Sequence, residues 1–166
     1  KTEKGGKKLT VGQITDIHIN TVNESDMRDK EIADTFIHRK WGAGGEHIPA
    51  FYTALEIAKD FDRIILTGDI LDFYSSEGAR ITAEVFEKYK NIRACVGGHD
   101  LTLEMETQNE NMRSREERYA LLEKFWPNNV HYFSETLEDK VIITPNCGWK
   151  KKRCLMKIST NILKRI

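Results

Sequence analysis

The sequence predicts an α/β fold. Short β-branched runs alternate with stretches of helical period, in the order strand, helix, strand, helix, strand, and each of the first three strand-like runs ends in a short string rich in Asp or His. That order implies parallel strands joined by right-handed crossovers, and loops at strand ends form the rim on which open α/β sheets gather ligand sites. With 166 residues, 39% of them hydrophobic and 31% charged, the chain is sized for one domain with its own core.

Residues 9–15 set Leu9, Val11 and Gln13 against Thr10, Gly12 and Ile14 and are followed by an Asp, the pattern of a first strand. Residues 20–47 are polar and weakly periodic and close on Gly42-Ala43-Gly44-Gly45, so they read as a long irregular insertion. Pro49 suits an early helical position, with Phe51, Leu55, Ala58 and neighbouring Ile57 forming an apolar face up to about Lys59. Arg63-Ile64-Ile65-Leu66-Thr67 is a continuous apolar strand of the kind buried on both faces. Ile81, Val85, Phe86 and Tyr89 give residues 79–90 a helical period, and residues 92–96 return to strand. Ser114-Arg115-Glu116-Glu117 is a capping box that opens a helix through Leu121, Leu122 and Phe125, stopped at Trp126-Pro127. Residues 130–133 and 140–144 read as two further strands, with the polar residues 134–139 as their hairpin connection.

The formal net charge of zero conceals a division. Residues 149–166 hold seven Lys or Arg and no acid, which leaves residues 1–148 with 19 basic against 26 acidic side chains, a net charge of −7. An acidic body argues against nucleic-acid binding by the core. Cys95, Cys147 and Cys154 are an odd number without C-x-x-C spacing, which suggests neither a disulfide framework nor a thiolate zinc site and fits a reducing, cytoplasmic location. Cys95 reads as a small buried hydrophobe. No apolar stretch approaches the roughly 18 residues of a membrane span, and the Lys-rich residues 1–8 lack the apolar block of a signal peptide. The first residue is Lys, not Met, which leaves room for a removed leader.

The chemistry sits in three strings: Asp16-Ile17-His18, Gly68-Asp69-Ile70-Leu71-Asp72 and Gly97-Gly98-His99-Asp100. Singly, each has a structural reading as a helix cap or turn. Together they bring carboxylates and imidazoles to one sheet rim, a donor set suited to Zn, Mn, Fe or Mg. In extended backbone, residues two apart project to one side, so Asp16 and His18 can chelate one ion. Asp69, from the neighbouring strand end, can bridge to a second ion, and two ions about 3.5–4 Å apart activate water for in-line attack on phosphorus.

This order of motifs resembles the calcineurin-like metallophosphoesterase superfamily, whose pattern runs D-x-H, G-D-x-x-D, G-N-H followed by D or E, a solitary His and then G-H-x-H. The resemblance spans residues 9–145. It implies stacked mixed β-sheets flanked by helices, here incomplete at the C-terminus, and a phosphomonoesterase or phosphodiesterase that uses two divalent metals and a metal-bound hydroxide. By resemblance Asp16 and His18 bind the first metal and Asp69 bridges. Asp72 supports the bridging loop, and His99, paired with Asp100, donates a proton to the leaving group or holds the phosphate. Two departures stand out: Gly98 replaces the metal-ligating Asn, and no His follows His131, so G-H-x-H is absent. Together with the basic ending they suggest a 9–148 domain portion, carrying the 20–47 insertion, that is truncated, followed by an unrelated 149–166 tail. An amphipathic basic helix is the other reading of that tail. Phosphate-ester turnover is then expected to be impaired, the alternative being a non-catalytic metal- or partner-binding module. A half-built sandwich also suggests self-association through exposed apolar surface.

The remaining candidates are weaker. His38 and His47 read as solvated members of the insertion, itself a candidate substrate-facing cap. Trp41 reads as an anchor of that loop, with stacking on a ligand ring as its other role. His131 falls in the interval of the family's solitary His but inside a strand, away from the strand ends where ligands gather.

Overall fold

β2 (Arg63–Thr67) is the middle strand of a parallel sheet, hydrogen-bonded to β1 (Val11–Ile14) on one side and β3 (Ile92–Cys95) on the other, with Ile14 opposite Leu66 and Leu66 opposite Ala94. The computed structural model describes residues 8–39, 47–101, 114–138 and 140–145; Trp41, the glycines of 42–45, Cys147, Cys154 and the 149–166 tail lie outside the described residues. Ile64, Ile65 and Leu66 are all buried, as a continuous apolar run requires when both faces of a strand are covered. The covering layers are α2 (His47–Ala58), through Phe51, Leu55 and Ala58, α3 (Ser76–Lys88), through Val85 and Phe86, and Leu122 of α4 (Arg115–Leu122). Trp126 closes the core beside Phe86, ring centroids 5.5 Å apart, and its Nε1 donates to the Ala94 carbonyl at 3.1 Å. The α4 capping box forms as expected, the Ser114 and Glu117 side chains each accepting the other's backbone N–H. Among the described residues no helix is long and apolar enough to cross a membrane.

Four expectations are revised. The insertion is not wholly irregular: it holds a 3-10 turn at Asp26–Arg28 and the ten-residue α1 (Lys30–Arg39). Asp29 starts α1 by accepting the Glu31 and Ile32 amides at 3.0 and 3.3 Å, and Ile32 and Thr35 give it a buried side. The helix expected at 79–90 begins earlier, because Ser75 caps it through Gly78 N and Asp26 accepts the Ser76 and Glu77 amides at 2.8 and 3.0 Å. The last two strands are longer than the polar 134–139 stretch suggested: β4 (Tyr132–Leu137) and β5 (Lys140–Pro145) form a tight antiparallel hairpin. Glu135 makes that polar stretch a strand by facing the sheet, where Arg63 Nε donates to it at 2.6 Å and Arg93 at 3.2 Å. Finally, Cys95 is half-buried, because alternation along β3 sends Ile92 and Ala94 inward and Arg93 and Cys95 to the other face.

Asp26 therefore ties the insertion to α3. Burial alone would raise its pKa, but the amides of Asn23, Ser76 and Glu77 outweigh that, and the carboxyl titrates below the ordinary 3.8. Asp26→Ala is expected to cost about 2 kcal/mol, as for a strong helix cap, measured by urea unfolding at pH 7. A depressed folded-state pKa means the contribution is full above the unfolded value and is lost as pH falls through the folded one, so the gap from wild type narrows in acid.

Candidate metal centre

Beyond the last residues of β1 and β2, the two following loops continue side by side. Asp16 N donates to Gly68 O at 3.3 Å, His18 N to Asp69 O at 2.9 Å and Ile19 N to Ile70 O at 2.7 Å, and Asp72 N returns a bond to Ile19 O at 3.1 Å. This lattice sets the first two strings against each other. The third is locked on by Asp100, 1% exposed, whose carboxylate accepts the amides of Leu71 and Gly97, both at 2.7 Å. Burial pushes the Asp100 carboxyl up to about 7, with the two amides pulling the other way.

The predicted metal ligands come together. Asp16, His18 and Asp69 each offer a ligand atom within 4.8 Å of the others, and so do His18, Asp72 and His99. The His18 and His99 rings meet edge to face, centroids 4.5 Å apart, and His99 N donates to Asp69 Oδ1 at 2.9 Å. Asp16 and His18 converge by a different route from extended backbone: Asp16, His18 and Asp69 have φ of 53°, 51° and 51°. Asp and His tolerate this left-handed region better than most residues, at a cost of about 1–3 kcal/mol each, and such residues cluster at functional sites. Gly68, at φ 94°, and Gly97 let the loops touch backbone to backbone, since a Cβ on Gly97 would stand 2.3 Å from Asp69 N and one on Gly68 2.9 Å from Gly97 Cα.

Asp72 lies at the bottom of the group, 8% exposed. Its Oδ1 meets His18 Nδ1 at 3.2 Å, His99 Nδ1 at 3.0 Å and an Arg39 terminal nitrogen at 2.8 Å, while Asn20 donates to Oδ2 at 2.7 Å. Burial alone would raise its pKa, but the Arg39 charge and the donors from Arg39, Asn20 and His99 outweigh it and hold the carboxyl below its usual range. His99 thus meets Asp72 rather than Asp100, a correction to the pairing the motif implied. Successive residues of the 3-10 turn His99–Leu101 point apart, and Asp100 is drawn inward by its two amides.

Gly98 is exposed, and a Cβ there meets nothing within 4 Å. The position thus has room for a side chain but presents none. His131 stands apart from the group, its ring 4.5 Å from Tyr119 and its Nε2 3.8 Å from Glu123.

Arg39 and His47 were not legible as site residues. A cavity of about 460 Å³ is lined by Asp16, His18, His38, Arg39, His47 and Asp72. His38 is exposed, as expected, whereas His47 is half-buried and its Nε2 accepts the Asn20 amide at 3.4 Å. The signal for Arg39 was helical spacing: it lies four residues beyond Thr35 and seven beyond Ile32, on the buried side of α1.

Carboxylate and imidazole donors within reach of one point, in backbone held away from its ordinary basins, fit a divalent cation. None of the curated proteins compared matches the chain. A family model described as calcineurin-like phosphoesterase matches residues 9–154. That match covers most of the sequence and all three strings, and the chain belongs to the calcineurin-like phosphoesterase family.

Proposed function

We propose that the chain is a metal-dependent hydrolase of phosphate esters, with Asp16, His18 and Asp69 holding a divalent ion and Asp69 reaching toward a second. The observation that carries this reading is the convergence of those three side chains from two loops, each in left-handed backbone. Such ions, when bound, activate a water for in-line attack and neutralise the phosphoryl oxygens. The chain's own groups do the rest. Asp72 orients His18 through Nδ1, as carboxylates orient ligating imidazoles. The His99 amide fixes Asp69, and the His99 ring stands beside His18, where it can hold a phosphoryl oxygen or pass a proton to the leaving oxygen.

Hydrolysis of p-nitrophenyl phosphate or its bis ester in the presence of Mn²⁺, abolished by Asp69→Asn, is the expected result; Mn²⁺-dependent hydrolysis unchanged in Asp69→Asn overturns the reading. Turnover is expected to be low, because position 98 offers no ligand for the second ion. Gly98→Asn enters open space and is expected to fold as wild type and to raise metal uptake by elemental analysis. Unchanged uptake removes position 98 from the centre.

The bare position 98 also favours a second reading, a module that binds one metal without catalysis. One equivalent of metal and no hydrolysis, even in Gly98→Asn, selects it.

A further inference from the structure

The cavity beside the metal centre joins two sets of side chains. Asp16, His18 and Asp72 come from the strand-end loops, whereas His38 and Arg39 end α1 and His47 begins α2. Ile17 alone among the described lining residues is apolar. The cavity's volume of about 460 Å³ falls among those of small-molecule sites, about 300–1,000 Å³, and leaves room for a substrate beyond its phosphoryl group. An aryl or alkyl remainder would gain little there, because the hydrophobic gain needs apolar surface to pack on. A guanidinium only donates hydrogen bonds, and an imidazole carries at least one N–H in either protonation state, so the insertion's side of the cavity suits an acceptor.

Arg39 is anchored by one nitrogen. Its contacts with the described residues all run through Nη1, which lies 2.8 Å from Asp72 Oδ1, 3.3 Å from Asp72 O and 2.8 Å from His99 Nδ1, while its buried Nε has no hydrogen-bond partner. Arg63 and Arg80 behave differently: each closes Nε and Nη2 together on a carboxylate, that of Glu135 or Glu77. Asp72 in turn shares its charge with His18 and Asn20. Arg39 thus keeps Nη2 open among the described residues, and 23% of its side chain is exposed. We propose that Arg39 reads a second anionic group on the substrate, a carboxylate or phosphoryl group beyond the scissile phosphate, with His38 and His47 beside it. This rests on the hydrolase reading and narrows its substrate to phosphate esters whose far end is also negatively charged. Asp16 and Asp72 repel an anion from the empty chain, so the second group is expected to bind with metal present.

Calorimetric titration of the full chain with Mn²⁺ present compares propylphosphonate with phosphonopropionate, which ends in a carboxylate, and with propylene bisphosphonate, which ends in a second phosphonate. None is hydrolysed, so binding is read without turnover, and titration of each into Mn²⁺ alone corrects for the free ion. At least one doubly anionic ligand is expected to bind the wild type about tenfold more tightly than propylphosphonate, the gain of one charge-assisted hydrogen bond, and the advantage to shrink to within about twofold in Arg39→Met. The tighter of the two names the second group. Equal affinities in the wild type overturn the proposal. So does a folded Arg39→Met that weakens all three ligands alike and keeps their ratio, the result expected if Arg39 only holds Asp72. If that variant does not fold, the wild-type ratio decides alone. Binding of none of the ligands sinks the hydrolase reading and this inference with it, whereas equal binding of all three leaves the hydrolase reading standing.

Discussion

Gly97→Ala is expected to dismantle the metal centre while its neighbour Gly98→Ala leaves it intact. A Cβ on residue 97 would stand 2.2 Å from Asp69 Oδ1 and 2.3 Å from Asp69 N, and the second of these is backbone that cannot rotate aside. Gly68 presses from the other loop, where a Cβ would meet Gly97 Cα at 2.9 Å, so neither loop has slack to give. The Asp69 loop must move, and the 2.9 Å bond from His99 N to Asp69 Oδ1 goes with it. Overpacking of this kind costs about 3 kcal/mol. Loss of a ligand's supporting bond commonly lowers metal affinity about 10–100-fold. At position 98 an added Cβ meets nothing within 4 Å, so that substitution is expected to be neutral in both respects. Thermal unfolding and Mn²⁺ titration of the two variants side by side check the contrast, and equal behaviour would mean that the loops do not touch as described.

Asp100→Ala is expected to be the most destabilising single change in the three strings. It removes the acceptor of the buried Leu71 amide and of the half-buried Gly97 amide, which belong to different loops. A buried donor without a partner costs about 1–3 kcal/mol and a half-buried one less, so the two losses together amount to about 3–4 kcal/mol. Asp100→Asn keeps one carbonyl acceptor and is expected to cost about half as much. Urea unfolding measures both. The residue is next to His99 in sequence, yet its effect should appear first in stability and reach metal binding through the loops it joins.

The scaffold was legible wherever local pattern and burial agree. The apolar run of β2, the Ser114 capping box and the parallel order of the first three strands follow from periodicity and cap chemistry that tertiary contacts do not override. The hairpin was underestimated because residues 134–137 become a strand through Glu135 and its two arginines, a contact about 40 to 70 residues away in sequence that no local propensity records. Within the site, residue types at strand ends pointed to Asp16, His18, Asp69, Asp72 and His99. Asp100 was found for the wrong partner, since sequence shows that it adjoins His99 but not that its carboxylate turns into the core. Arg39 was hidden because its helix starts on an Asp29 cap within a polar stretch whose apolar side is only Ile32 and its neighbours. The left-handed backbone at three of the acidic and histidine positions has no sequence signature beyond the tolerance of Asp and His for it.

Calorimetric titration of the metal-free chain with Mn²⁺ measures the centre itself. The wild type is expected to bind, Asp16→Ala, His18→Ala and Asp69→Asn each to weaken binding by more than about tenfold, the loss already typical of removing a ligand's support, and His131→Ala to leave it unchanged. A folded chain lacking all three ligands that still bound Mn²⁺ as tightly as the wild type would contradict the assignment of Asp16, His18 and Asp69 to a metal.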